Sequence, residues 1–250
     1  MNNKRRFEKA ASVIFALTIW QVGATLLNQK LLLVSPIVVA QRLVSLCAET
    51  DFWMTIGFSL IRIVSGYVLA LAIGILLAVV AARSHFAEMI FWPFIHVMKS
   101  VPVVSFIILC LIWLSSKNLS VFISFIMVLP IIYTNVLEGI KNTDGNLLEM
   151  AGLFCVGWMK KMKYIYLPQL KPYLISACSV SIGLSWKAGI AAEVIGIPDG
   201  SIGERLYDAK VYLNSPDLFA WTVVIVLLSV LFEKLFLFLL KDSFRRLEES

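Results

Sequence analysis

The 250-residue chain is short of charge: Lys, Arg, Asp and Glu make up 15% of it, against 60% hydrophobic residues. A soluble domain carries roughly a quarter charged and about half apolar residues, so this composition is that of an integral membrane protein. The apolar runs lack the strict alternation that a membrane barrel needs. Helices remain, because each satisfies its own backbone groups inside lipid. Cysteine is also scarce. Cys47, Cys110, Cys155 and Cys178 are scattered, with no Cys-x-x-Cys, so neither a disulfide framework nor a zinc site is implied. His85 and His96 have no carboxylate cluster nearby, and no metal site is expected. No His-Glu-x-x-His occurs, which argues against an intramembrane zinc protease. The net charge is +6, but no basic patch is interleaved with exposed aromatics, so no nucleic acid partner is expected.

What the chain does have is a series of long apolar runs, with a mean hydropathy of +0.87. The first, Ala10–Leu27, follows Lys4, Arg5, Arg6 and Lys9. It reads as a retained span rather than a signal peptide, because Trp20 and Gln21 interrupt the approach to the Val22-x-Ala24 pair. Residues 31–50 predict a short helix starting after Pro36, near the outer surface. The second span, about Gly57–Ala82, carries Gly66, Ala70, Gly74, Ala78 and Ala82 four apart, a stripe that lets helices approach closely. Arg62, near its outer end, is expected to snorkel or to pair with a carboxylate.

The third apolar region, about Ile90–Leu114, is interrupted by Pro93 and Pro102. Such breaks are tolerated at membrane depth only against protein or a water-filled cavity. Lys99 either lines a pathway or reaches the headgroups, and the second reading is preferred because long basic side chains snorkel readily. The fourth span, about Leu119–Ile140, contains Pro130 as an expected kink. Asn135 and Glu138 share a face and are placed to pair with a neighbouring helix. In the fifth span, about Pro172–Val194, Ala177, Ser181, Ser185 and Gly189 are again four apart. This face is the candidate subunit interface or pore lining. Lys187 is the most intrusive charge, so it should face protein, water or a substrate. It either attracts an anionic ligand or pairs with Glu193 or Glu138. Residues 195–216 read as the longest outer loop, rich in Gly and Pro. The sixth span is about Phe219–Leu240.

The longest break between apolar runs in the second half is Glu149–Pro168, EMAGLFCVGWMKKMKYIYLP. Leu147, Ala151, Phe154, Trp158, Met162 and Ile165 recur at steps of three or four, which predicts an amphipathic helix with one apolar face. Gly152 and Gly157 predict a bend or turn near Gly157. Such a helix either lies on lipid or docks into a groove of a soluble protein.

The same stretch resembles the cytoplasmic signature loop of bacterial ABC-importer permeases, the inner-membrane components of binding-protein-dependent systems. That family's pattern is Glu-Ala-Ala, a Gly four residues after the second Ala, and Ile-x-Leu-Pro after nine more. Glu149, Ala151, Ile165, Leu167 and Pro168 match it. Met150 stands in place of the first Ala and Cys155 in place of the Gly, and Gly157 is expected to supply the turn instead. Three other segments also resemble the family, the first of them its nitrate, sulfonate and taurine branch. They are the Leu-x-Ser-Pro entry before Ile37, the segment 93–106 and the loop core Asp199-Gly200-Ser201-Ile202-Gly203.

The resemblance implies an all-α, six-span type I permease fold. Its divisions are an N-terminal region 1–50, a transmembrane domain 51–241 with a coupling loop 142–168, and a tail 242–250. It implies that Glu149, Ala151, Phe154, Gly157, Trp158, Ile165, Leu167 and Pro168 couple to an ATPase dimer. It implies that Asp199, Gly200 and Gly203 face an extracytoplasmic substrate-binding protein, and that a second permease copy completes the pathway. Pathway candidates are Lys187, Ser185, Asn135 and Lys99. Gly152 and Gly157 have the glycine spacing of a Walker A loop, but Trp158 replaces its Lys. ATP and Mg are therefore expected on the partner ATPase, with no cofactor or catalytic residue on this chain. The expected cargo is a small anion such as sulfonate, taurine or nitrate, or alternatively a pyrimidine precursor of thiamine. From other classes, a membrane scaffold and an intramembrane enzyme remain.

Orientation follows independently of the family. With six spans and the N-terminus inside, thirteen Lys and Arg fall in cytoplasmic segments, against Lys30, Arg42, Lys117, Arg205 and Lys210 outside. That bias is the one the positive-inside rule expects, and it puts both termini and Glu149–Pro168 in the cytoplasm; the resemblance implies the inner membrane of a bacterial cell.

Overall fold

The computed structural model describes residues 2–27 and 33–249, so Lys30 lies outside the described residues. Every described element is helical. In order they are α1 (Asn2–Leu27), α2 (Pro36–Cys47), α3 (Thr50–Arg83), α4 (His85–Ser100), α5 (Val103–Cys110), α6 (Ser116–Lys141), α7 (Gly145–Leu153), α8 (Trp158–Lys161), α9 (Leu167–Gly196), α10 (Ile202–Val211) and α11 (Ser215–Glu249). A π-helical turn, Met162–Tyr166, joins α8 to α9 without a break.

Among the described residues, four helical runs are long and apolar enough to cross a membrane: Thr50–Arg83, Ser116–Lys141, Trp158–Gly196 and Ser215–Leu247. α4 and α5 reach that length only as a pair, and they meet at 104°. The break has a local cause. Pro102 biases the residue before it toward extended backbone, and Val101 sits at φ −70°, ψ 128°. α1 adds the shorter apolar stretch Ala11–Leu27 and touches α11 through Trp20 and Phe219, ring centroids 5.9 Å apart. The chain is an all-α polytopic membrane protein.

α3, α6 and α9 form the centre. The small-residue stripe of α3 faces α6. A Cβ on Gly66 would stand 2.3 Å from the Val121 carbonyl oxygen, so only glycine lets the two backbones meet there. The second stripe, Ala177, Ser181, Ser185 and Gly189, is buried as well. A Cβ on Gly189 would lie 2.7 Å from both Ile63 and the Ser124 hydroxyl. Ser124 Oγ donates to the Ser185 carbonyl at 3.3 Å. This face is therefore spent on packing inside the chain, not on a pore or a second copy as expected from the spacing. Two small-residue stripes flank one helix, α6, and close the three-helix centre around it. Of the most apolar stretch of α6, 67% is buried, against 6% for α11, whose apolar surface is left to lipid or to other chains.

The segment 195–216 is not an open loop. Most of it is α10. Ser201 Oγ accepts the Glu204 N–H at 3.0 Å, and the Glu204 carboxylate accepts the Gly200 N–H at 2.6 Å. This is a variant of the Ser-x-x-Glu capping box, which starts a helix wherever it is followed by suitable residues.

Candidate functional site: the two ends of one helical rod

The run Trp158–Gly196 spans 39 residues. At about 1.5 Å per residue it is roughly 60 Å long, longer than a bilayer is thick. The Glu149–Pro168 stretch lies at its start, and the α10 cap lies at its end.

At the first end the expected continuous amphipathic helix is split. α7 stops at Leu153, and residues 154–157 turn. The Val156 N–H donates to the Ala151 carbonyl at 2.9 Å and the Cys155 N–H donates to the Gly152 carbonyl at 3.0 Å. That pair of bonds is a Schellman cap, which needs its penultimate residue in the left-handed region. Cys155 takes that role at φ 50°. The turn is thus made by the residue standing where the family has Gly. Gly157, expected to supply it, has φ −62° and instead caps the start of α8.

The break divides the predicted apolar face. Ala151 and Ile165 are buried, and Leu167 and Pro168 are half-buried at the start of α9. Phe154 and Trp158 are exposed, together with Met150, Leu153 and Met159. Glu149 is exposed too. Residues Phe154 to Lys160 line an open depression of about 580 Å³. Trp158 is held from behind, with the Arg83 guanidinium 4.5 Å above its ring and Tyr166 6.0 Å away, centroid to centroid. The neighbouring loop is pinned to α9. Gln169 Oε1 accepts the Asp144 N–H at 2.9 Å, and Asn142 Nδ2 donates to the Tyr173 hydroxyl at 3.2 Å. The patch is apolar, exposed and backed by packed side chains, an arrangement that suits the groove of a soluble partner or the surface of a bilayer.

The other end is its opposite. Glu193 is fully buried among α3, α6 and α10. Its Oε2 accepts from Ser59 Oγ at 2.7 Å and from the Gly203 N–H at 3.4 Å. Ser59 Oγ in turn accepts the Ile202 N–H at 2.9 Å. Arg62 and Ser120 stand in electrostatic reach of the same carboxylate. Arg62 stacks over the Phe58 ring at 3.7 Å, so it keeps to a structural place beside a carboxylate. A Cβ on Gly203 would lie 2.3 Å from the Glu193 Cβ, so Gly203 faces inward rather than toward a docked protein. Asp199 and Gly200 remain exposed. Sequence reasoning singled out none of Glu193, Ser59 and Arg83 as site residues. The readable signals were the Ser201-x-x-Glu204 cap and an acidic residue inside an apolar run.

Of the pathway candidates, Lys187 and Lys99 are exposed and make no hydrogen bond or ion pair with any described residue. Lys187 therefore does not pair with Glu193 or Glu138. Glu193 is buried on another face of α9, and Glu138 is exposed on α6. Asn135 Nδ2 donates to the Ile131 carbonyl of its own helix at 2.9 Å, not to a neighbour. Ser185 is buried against α6. Among the described residues no three His, Cys, Asp or Glu side chains converge on a metal site.

The sequence profile of the binding-protein-dependent transport system inner membrane component family matches residues 70–248. The chain belongs to that family. Its relatives among characterised permeases are distant. A nitrate import permease of Synechococcus elongatus is 30% identical over 77% of this chain and 72% of its own length. A Bacillus subtilis protein named as an aliphatic sulfonates transport permease is 23% identical over 93% of this chain and 82% of its own. A formylaminopyrimidine transport permease of Halalkalibacterium halodurans is 23% identical over 91% and 92%. This permease thus belongs to the transport subunits of ABC importers, and its apolar helices place it in a membrane.

Proposed function

We propose that two copies of this permease line the path of a small anion across a bacterial cell membrane, driven by an ATPase dimer docked on Met150–Met159. The carrying observation is the exposed patch of Met150, Leu153, Phe154, Trp158 and Met159 at the foot of an unbroken rod. Amphipathic groups of this kind seat in a partner's groove. ATP and Mg sit on the ATPase. Closure of its dimer draws the two patches together, and the rods rock the bundle from inward-facing to outward-facing. No catalytic residue is needed here, only two packings of similar energy that the partners bias. Both termini are cytoplasmic, and a substrate-binding protein delivers cargo at the Asp199–Gly200 side.

Lys187 supports an anionic cargo, because an exposed cation on the central helix has no protein partner among the described residues. The sulfonate and nitrate relatives favour the same class, while the formylaminopyrimidine relative favours a pyrimidine precursor of thiamine. Two experiments decide. Phe154→Glu should insert normally yet fail to co-purify with the ATPase; co-purification at the wild-type level contradicts the docking assignment. Lys187→Met should cut nitrate or taurine uptake at least tenfold; unchanged uptake of both removes the anion reading.

A further inference from the structure

The end of the rod away from the ATPase patch holds a buried carboxylate with no part in the mechanism so far. Three N–H groups in the first turn of α10 have found partners. One is local, the Glu204 N–H on Ser201 Oγ. The other two reach into the membrane core: Ile202 N–H to Ser59 Oγ on α3, at 2.9 Å, and Gly203 N–H to Glu193 Oε2 on α9, at 3.4 Å. Ser59 and Glu193 are bonded to each other at 2.7 Å, so the three elements share one knot. An acidic group is suited to this place, since the first turn of a helix carries partial positive charge. No side chain fits between α10 and α9, because a Cβ on Gly203 would meet the Glu193 backbone carbon at 2.4 Å.

The far end of α10 comes to the surface by contrast, next to the start of α11. Val211, Tyr212 and Leu213 are exposed. They close a second Schellman cap, in which the Asn214 N–H donates to the Ala209 carbonyl at 2.8 Å and Leu213 takes φ 54°. α10 is a short arm with its root fixed in the core and its tip on the surface. Its root is bonded to α3 and α9 and its flank packs on α11, so a displacement of the tip has these helices to act on.

We infer that Glu193 is a positioning residue that couples α10 to the rod, so that the state of the outer face and the state of the ATPase patch are read by one helix. The inference rests on the transport reading above. It adds that α10 responds to nucleotide through Glu193 and Ser59, rather than through lipid or the loop alone. Energetic coupling of this kind requires a contiguous element that both sites bias, and the uninterrupted run Trp158–Gly196 is that element.

Amide hydrogen exchange on the permease in nanodiscs tests it in two arms. In the first, on the permease alone, Glu193→Gln and Ser59→Ala should each raise exchange across Ile202–Val211 at least tenfold, leaving Ser116–Lys141 within twofold of wild type. Unchanged exchange in α10, or a rise everywhere, overturns the anchor. Ser59→Ala introduces no new charge, and Ser59→Thr should restore protection, which separates anchoring from general misfolding. In the second arm, trapping the permease–ATPase complex with ATP and vanadate should shift α10 exchange at least threefold in wild type and not in Glu193→Gln. A shift that persists in the variant overturns the coupling. Failure of the wild-type chain to bind any ATPase refutes the transport reading instead, while the first arm still decides the anchor.

Discussion

The two ends of the Trp158–Gly196 rod solve opposite problems. At the α10 end, polar groups are buried and mostly answered within the chain: Glu193 Oε2, Ser59 and two backbone N–H groups are bonded together, while Glu193 Oε1 has no hydrogen-bond partner among the described residues. At the Glu149–Pro168 end, apolar groups are exposed and unanswered, with Leu153, Phe154 and Met159 turned outward. Burying a carboxylate is costly unless it is hydrogen-bonded, and exposing an aromatic cluster is costly unless something covers it. The first end meets most of its condition within the chain, and the second leaves its own to whatever covers it, a partner or lipid. Substitutions should therefore damage stability at one end and association at the other.

The contrast breaks most sharply at glycine. Gly203→Ala puts a Cβ 2.3 Å from that of Glu193. It should destabilise the purified permease by about 3 kcal/mol or more, at the upper end of overpacking costs. Gly152→Ala meets nothing within 4 Å on α7. It should leave stability unchanged or raise it by up to ~1 kcal/mol, as alanine favours helix. Thermal unfolding in detergent compares them, and equal effects would erase the distinction. Next in size, Glu193→Ala leaves the Gly203 N–H and the Ser59 hydroxyl without a shared acceptor and should cost about 1–3 kcal/mol. Glu149→Ala, on an exposed site, should stay within ~0.5 kcal/mol.

A smaller effect of opposite sign is expected at Cys155. A non-glycine residue in the left-handed region costs roughly 1–2 kcal/mol, so Cys155→Gly should stabilise the turn by about 1 kcal/mol while Cys155→Ala should not. Chemical denaturation of the two variants checks this. The smallest effect lies on the surface beside the α10 end. Arg42 Nη2 donates to Asp217 at 3.1 Å, and this hydrogen bond raises the guanidinium above its already high ordinary value. A raised pKa on a cation gives stability that is present below the unfolded value and lost only as pH climbs through the folded one. Its contribution should thus be flat between about pH 6 and 9. Arg42→Met should cost no more than ~1 kcal/mol, since such pairs are solvent-screened. Stability profiles across that pH range should run parallel for the two proteins.

Much of the fold was legible because lipid imposes simple rules. Long apolar runs had to be helices, and the four-residue spacing of Gly66, Ala70, Gly74 and Ala78 had to mark a close approach. The sequence could not say which neighbour a stripe meets. Ala177 to Gly189 looked like an interface to another chain and proved to face α6 and α3, because periodicity defines a face but not its partner. The segment after Ile195 was misread through its Gly and Pro content. Its Ser201 and Glu204 cap carried the contrary signal, four residues long and easily outweighed. The turn at Cys155 was placed two residues late. Composition points to glycine for a left-handed residue, whereas two backbone hydrogen bonds decided the matter for cysteine. Charges were hardest of all. Lys187 and Glu193 lie in one apolar run, yet one is exposed and the other fully buried.

Cys155 also offers the most direct trial of the docking account, since it is an exposed thiol in the middle of the Phe154–Lys160 depression. In a Cys47→Ser background, the remaining cysteines, Cys110 and Cys178, are buried. A membrane-impermeant maleimide applied to inside-out vesicles should modify Cys155 rapidly in the permease alone and at least tenfold more slowly once the ATPase is bound. Modification only from the extracytoplasmic side, or at an unchanged rate in the presence of the ATPase, would contradict the account.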